Sequence, residues 1–137
     1  MFVDTPTMTA VTSYTGETAA MTCNVAHAFN WEELALTTPH SVRPAVIVYP
    51  DSRVWSKDDR RYIVQHNVTS NGARYGDNVT LRLEIHNVRC TDRGVFRCTL
   101  RSTLPERPAS EASAELTVVS KLSCCYLFTV ILKHNFK

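Results

Sequence analysis

Residues 78–98 carry the pattern that decides the fold, and they read NVTLRLEIHNVRCTDRGVFRC. From Asn78 to His86, polar and apolar residues alternate at every position. A period of two residues is the spacing of a β-strand that buries one face. After a short break, Phe96 and Cys98 continue the same alternation. The stretch therefore predicts two strands joined by a tight corner.

The alternation recurs elsewhere in the chain and is separated by turn residues. Ala19, Met21 and Cys23 share one side of a predicted strand, and residues 113–118 form another. Gly, Pro, Asn, Asp and Ser cluster between these runs, which marks turns. The turn segments are 15–16, 50–52, 70–72, 76–78 and 104–108. Short strands between turns, without a long amphipathic helix, predict an antiparallel sandwich or barrel.

The composition is that of one ordinary globular domain. The chain has 137 residues, of which 44% are hydrophobic and 20% are charged, and its formal net charge is +2. Domains usually contain about 100 to 150 residues, and this apolar fraction excludes a disordered or collagen-like chain. Because phosphate binding needs concentrated Lys and Arg, a net charge near zero without a basic stripe argues against a nucleic-acid partner.

Motifs for catalysis or cofactor binding are missing from the sequence. It contains no G-x-S-x-G, no phosphate-binding loop, no H-E-x-x-H and no C-x-x-C. His86, Cys90 and Cys98 do not have the spacing of a zinc site. We therefore expect no enzyme activity, no small-molecule substrate, no cofactor and no bound metal.

Two segments resemble the signature of immunoglobulin domains. Residues 16–23, GETAAMTC, are similar to the second strand of that family, where a turn Gly leads into alternating apolar positions that end at a Cys. Residues 81–98 match the family's segment from strand E to strand F nearly position for position. Together with the Arg that opens strand D, the signature residues are Gly16, Arg61, Leu83, Asp92, Gly94 and Phe96.

The resemblance implies an all-β fold, a two-sheet antiparallel Greek-key sandwich of the variable immunoglobulin type, over residues 9–119. It also implies a disulfide between Cys23 and Cys98 through the core, and an ion pair between Arg61 and Asp92. The two Cys are 75 positions apart, which suits the variable type with its additional C′ and C″ strands.

Two positions depart from the family pattern. Phe96 stands where a Tyr is usual, so a hydroxyl hydrogen bond worth about 1 kcal/mol is missing. Trp31 comes early after Cys23 for the core Trp of strand C. Leu34 is the alternative occupant of that core position.

The two ends of the chain lie outside the predicted domain. Residues 1–8 lack the basic and apolar regions of a secretory signal peptide. Residues 120–137 form an apolar and basic tail with an uncharged run at 122–132. Because a membrane-spanning helix needs about 20 residues, we expect a truncated membrane anchor, an interfacial tail or an appended apolar end.

Two N-glycosylation sequons favour an extracellular domain. Residues 67–69 and 78–80 both read Asn-Val-Thr. The alternation places Asn78 on the solvent side, and Asn67 also if Tyr62 and Val64 point inward. Together with the expected disulfide, the sequons predict a location on the cell surface or in a secreted protein.

Two segments are candidates for binding a protein partner. Residues 45–49 are apolar on both faces, so either Trp55 with a nearby loop or a partner covers the outer face. Residues 100–111, between strands F and G, combine charges with one apolar residue predicted to be an exposed tip, which suits a contact patch. The candidate partner-binding residues are Val46, Val48, Tyr49, Arg101, Leu104, Glu106 and Arg107.

The sequence thus predicts a non-catalytic recognition module of a cell-surface or secreted receptor of immune or adhesion type. Such a module would bind a protein ligand through the F–G loop and the C–C′ face. The alternative is a structural domain that pairs with a like domain through residues 45–49. Contact of the C-terminal tail with a membrane is a further expectation.

Overall fold

The computed structural model describes residues 5–120 of the chain. These residues form β1 (Thr7–Met8), β2 (Val11–Tyr14), β3 (Ala19–Ala28), β4 (Trp31–Thr37), β5 (Val46–Val48), β6 (Val54–Ser56), β7 (Tyr62–Ser70), β8 (Asp77–Ile85), β9 (Gly94–Ser102) and β10 (Ser110–Val119), with a single 3-10 turn at Cys90–Asp92. The predicted apolar run 122–132 and its membrane contact lie outside the described residues.

The strands pack as two sheets, which confirms the predicted all-β sandwich. The first sheet has the order β1-β3-β8-β7, and the second has the order β2-β10-β9-β4-β5-β6. Neighbouring strands are antiparallel except β2 and β10, which run parallel. This exception arises because the N-terminal segment leaves β3 after Met8 and continues beside β10 from Val11.

The core lies between the sheets and follows the predicted alternation. Val79, Leu81, Leu83 and Ile85 of β8 are at most 1% exposed, because every second side chain of that strand points inward. The sulfur atoms of Cys23 on β3 and Cys98 on β9 are bonded at 2.06 Å and join the two sheets. Closing a loop of this length in the unfolded chain corresponds to about 4.5 kcal/mol of stabilisation.

The structure of β4 shows which of the two candidates, Trp31 or Leu34, occupies the central core position. Leu34 and Leu36 are fully buried, and Leu36 lies opposite Cys98 in the register of β4 and β9. Trp31 lies at the start of the strand, where it is 5% exposed and its Nε1 donates a 2.9 Å hydrogen bond to Asp77 Oδ2. Leucines therefore fill the centre of the core, and the Trp closes one end of the sandwich.

The corner before β9 is stabilised by an ion pair and requires a glycine. The Arg61 guanidinium donates to both carboxylate oxygens of Asp92, at 2.7 and 3.0 Å, and the Arg89 N–H donates to the same carboxylate at 2.7 Å. Gly94 has φ +134°, and a Cβ there would lie 2.7 Å from the Cβ of Pro39. Any other residue at position 94 would clash with that proline.

The ion pair sets the ionisation of both partners. Burial by itself would raise the pKa of Asp92, but the hydrogen bonds from Arg61 and from the Arg89 backbone outweigh it and lower the pKa below 3.8. The hydrogen bond to Asp92 raises the pKa of Arg61. Both groups are therefore charged in the folded protein at neutral pH.

We expect Asp92→Asn to lower the free energy of unfolding at pH 7 by about 3 kcal/mol, because it leaves the largely buried Arg61 without a counter-charge. A lowered folded pKa means that the carboxylate stabilises the fold fully above pH 3.8 and loses this effect as the pH falls further. Urea denaturation at pH 7 and pH 3 should therefore show a smaller difference between wild type and variant at pH 3.

The matched control is Asp51→Asn, which breaks the exposed pair with Arg53. Solvent screens an exposed pair and it contributes little, so this variant should unfold almost like the wild type. Equal losses from Asp51→Asn and Asp92→Asn would contradict the role given to the buried pair.

Candidate functional site

A row of side chains crosses the outer face of the second sheet. The strand registers place Glu111, Thr99, Ala35, Ile47 and Trp55 opposite one another, on β10, β9, β4, β5 and β6 in turn. Directly opposite residues in a sheet have Cβ atoms about 5 Å apart, so they form one continuous strip. We call this row the central strip.

The central strip is apolar at its β4–β6 end. Ala35 is buried but is not part of the core cluster, because Leu34 and Leu36 on either side of it point inward. Ile47 is half-buried, and Trp55 beside it is 49% exposed. The sheet thus presents an indole and an aliphatic side chain to solvent above a small alanine.

Charged residues flank the central strip on both sides. Arg101 of β9 lies opposite Glu33 of β4 in the row toward the loops. In the row on the other side, Arg97 lies opposite Thr37, and its Nε is 3.9 Å from Glu111 Oε1. These side chains reach solvent, so the strip has a polar border.

The border continues at the turn between β5 and β6. The Arg53 guanidinium lies 4.9 Å above the centre of the Tyr49 ring, and its Nε donates a 2.6 Å hydrogen bond to Asp51 Oδ2. Hydrogen bonds from the Arg53 backbone and side chain lower the pKa of Asp51. The predicted residue Tyr49 therefore lies at the edge of this face, next to a fixed cation.

Two of the predicted partner-binding residues lie on the inner side of their strand, which corrects the prediction. Val46 and Val48 are fully buried in the core and cannot touch a partner. The five apolar residues 45–49 gave no period from which to choose a face, and pairing with β4 turns Ile47 outward instead. Ile47 is not among the predicted partner-binding residues, and its pairing with the outward Ala35 is what locates it on the outer face.

The loop between β9 and β10 is fastened to the loop between β3 and β4. The Asn30 carbonyl accepts hydrogen bonds from the Thr103 N–H at 2.7 Å, the Thr103 hydroxyl at 3.0 Å and the Ser102 hydroxyl at 3.2 Å. Arg107 Nη1 donates to the Phe29 carbonyl at 3.2 Å. The two loops therefore form a single surface at one end of the sandwich.

These contacts divide the predicted loop residues into two groups. Arg101 and Glu106 are exposed and available to a partner. Arg107 is half-buried and fastens the loop, so it has a structural contact of its own. Leu104 is also half-buried, which corrects the expectation of an exposed apolar tip.

Both sequons lie on the outer face of the first sheet. Asn67 of β7 is opposite Thr80 of β8, and Asn78 is opposite Thr69, so each Asn faces the Thr of the other sequon. Both asparagines are exposed. The two potential glycans would therefore project from the face opposite the central strip.

Neither a metal-binding cluster nor a membrane-crossing helix occurs in the part of the chain that the structure describes. In residues 5–120, no three His, Cys, Asp or Glu side chains are grouped to hold a metal ion. In the same residues, no helix is long and apolar enough to cross a bilayer.

Comparisons with known proteins show the fold. No family model and no curated protein matches this chain. Among solved structures, the M1 domain of titin is similar with a TM-score of 0.53 and 13% identity, over 85% of this chain and 95% of that one. Murine CRIg is similar with a TM-score of 0.55 and 16% identity, over 83% of this chain and 98% of that one.

A third similar structure is DIP-gamma Ig1+Ig2, with a TM-score of 0.56 and 17% identity over 85% of this chain and 49% of that one. All three are immunoglobulin-domain proteins. Together with the disulfide that joins the sheets, these similarities confirm that the chain has the immunoglobulin-like fold expected from its sequence.

We expect Val48→Asp to lower the free energy of unfolding by more than about 3 kcal/mol, because it buries an unpaired carboxylate. Ile47→Asp, one position away, should cost less than half as much, since its side chain points to the outer face. Thermal unfolding of both variants measures the difference. Equal destabilisation would contradict the assignment of Ile47 to the outer face.

Proposed function

We propose that residues 9–119 are a variable-type immunoglobulin domain of a cell-surface or secreted protein, and that it recognises a protein partner without catalysis. The binding surface is the central strip with its charged border and the adjoining 103–109 loop. The observation that carries the proposal is the contrast between the two outer faces. One presents Trp55 and Ile47 among charges. The other carries both sequons, and its only exposed large apolar side chain in the described strands is Ile63, among polar, charged and small residues.

The chemistry of the central strip resembles that of protein interfaces. Such interfaces have a core rich in aromatic residues and Arg, surrounded by a polar rim. Here Trp55 is the exposed aromatic residue, and Arg53, Arg97 and Arg101 are all exposed in the rows beside the strip. A partner that fits would offer an apolar patch bordered by carboxylates.

The sheet composition supports the variable type. Variable-type domains extend the sheet of strands G, F and C by two further strands, C′ and C″. In this chain β5 and β6 follow β4 at the same edge of the second sheet. These two strands supply Ile47 and Trp55, so the extension itself builds the apolar part of the surface.

An extracellular location is supported by the disulfide and by the accessibility of the sequons. Structural disulfides persist in oxidising compartments. Asn67 and Asn78 are both exposed, which glycosylation requires. A glycosylated first sheet would leave the second sheet as the free surface for a partner.

The alternative function is pairing with a like domain through the same face. It is favoured by the location of Ile47 at the centre of the β4–β6 end, where two copies would meet. Sedimentation of the wild type and of Ile47→Arg distinguishes recognition of another protein from pairing with a like domain. A wild-type dimer that becomes monomeric in Ile47→Arg supports pairing, and a monomeric wild type contradicts it.

The binding experiment screens the multimerised chain against an array of purified extracellular domains. For each protein that binds, we expect Trp55→Ala to weaken the affinity at least about tenfold, because buried aromatic residues dominate interface energies. Arg101→Ala should weaken it as well, without changing the fold. Arg107→Ala should instead speed amide exchange at Thr103, since it unfastens the loop.

The matched control is Thr22→Ala, on the outer face of the first sheet. It should leave every affinity unchanged. Binding that Trp55→Ala and Arg101→Ala leave intact, or that Thr22→Ala weakens equally, would contradict the proposed surface.

A further inference from the structure

Strand β7 is an edge strand of unusual length for this molecule. It lies at the end of the first sheet and contains nine residues, whereas the other sheet ends are β1, β2 and β6 with two, four and three residues. An edge strand exposes backbone N–H and C=O groups that can pair with another strand. A nine-residue edge therefore offers a long template.

The hydrogen bonds at its two ends identify which backbone groups are free. The His86 N–H donates to the Arg61 carbonyl, and the Asn71 N–H donates to the Gly76 carbonyl, at either end of the β7–β8 ladder. Bonded and non-bonded pairs alternate in an antiparallel ladder, and this ladder has no register shift. The odd-numbered residues of β7 thus bond to β8, and the even-numbered residues point their N–H and C=O groups outward.

The backbone N–H and C=O groups of three of these residues form the open edge: Val64, His66 and Val68. The backbone groups of Tyr62 also point away from β8, but its N–H donates to the Asp59 carbonyl. Within residues 5–120, no hydrogen bond reaches the backbone N–H or C=O of the three open-edge residues. The side of β7 that faces away from β8 is therefore unpaired from Val64 to Val68, within the described residues.

Devices that commonly protect an edge are missing from the sequence of β7. The strand reads YIVQHNVTS and has no Lys, Arg, Asp, Glu, Pro or Gly. Natural edges are usually protected by charged side chains, Pro or bulges. Two copies of a neutral strand can approach without like-charge repulsion, and an antiparallel strand pair is self-complementary about a two-fold axis.

Two features lie at this edge: the β5–β6 turn, whose Ser52 carbonyl is 3.0 Å from the His66 ring Nε2, and the sequon at Asn67. The turn contacts only the His66 side chain, so the sequon is the feature that can cover the backbone groups of the edge. Asn67 is exposed in the middle of β7, between the open-edge residues His66 and Val68. A strand added to this edge would lie about 4.8 Å away, within the volume that a bulky glycan on Asn67 sweeps. Asn78 lies on β8, one strand further from the edge.

We propose that a glycan on Asn67 keeps the chain monomeric by covering the β7 edge, and that without it two copies pair through β7 into one continuous sheet. The partner of the bare edge is a second copy of this chain. The inference rests on the proposed extracellular location, and it concerns the sheet edge rather than the central strip.

The experiment secretes the full 137-residue chain from mammalian cells behind a cleavable signal and measures glycan occupancy by intact mass. Analytical ultracentrifugation then gives the assembly state. We expect the wild type and Asn78→Gln to sediment as monomers. Asn67→Gln should form concentration-dependent dimers.

A second substitution tests whether the edge itself pairs. Gln65 and Thr22 flank Arg82 in one cross-strand row, so a Lys at either position adds the same charge beside the same neighbour. On the Asn67→Gln background, Gln65→Lys should restore the monomer because it charges the edge. Thr22→Lys, on the interior strand β3, should leave the dimer intact.

The proposal is overturned by a bare Asn67 in the monomeric wild type or by a monomeric Asn67→Gln. It is also overturned if the Asn67→Gln dimer persists in Gln65→Lys, or if Thr22→Lys or Trp55→Glu converts it to a monomer. If Asn67→Gln is not secreted, Gln65→Lys must restore secretion, and failure to do so also overturns it. Because the readout is the assembly state, loss of partner binding through the central strip would not imitate any of these results.

Discussion

The disulfide between Cys23 and Cys98 requires β3 of one sheet and β9 of the other to turn the same face toward the core. Each Cys is an inward residue of its strand, and the same alternation that buries them buries Met21, Leu81 and Phe96. The disulfide thus fixes which side of β3 and β9 faces the core. The hydrogen-bonded register with the neighbouring strands then determines which side of each of them faces inward. A shift of one residue anywhere would turn a full apolar row toward water.

The same constraint produces the two outer faces. Once Leu34 and Leu36 are inside, Ala35 must be outside, and its neighbours in the ladder bring Ile47 and Trp55 to the same row. On the other sheet, the inward residues of β8 leave Asn78 and Thr80 outside. The apolar surface and the sequon surface are therefore both consequences of a single packing arrangement.

Much of this could be predicted from the sequence, and the failures have a physical cause. Strands β3, β8, β9 and β10 alternate clearly, so their faces followed from the period alone. Residues 45–49 have no polar member, so only the hydrogen-bonded partner strand decides that Val46 and Val48 face inward. Likewise, the role of Arg107 depends on a carbonyl of Phe29, 78 residues away in the chain, which no local pattern contains.

The shared Asn30 carbonyl has a consequence for protein engineering. Two connections that are remote in sequence are tied at one oxygen atom, so neither has an independent conformation. Transplanting residues 103–109 into another scaffold would leave their anchoring acceptor behind. A graft that preserves the shape of this tip must carry residues 27–31 with it, as one two-part unit.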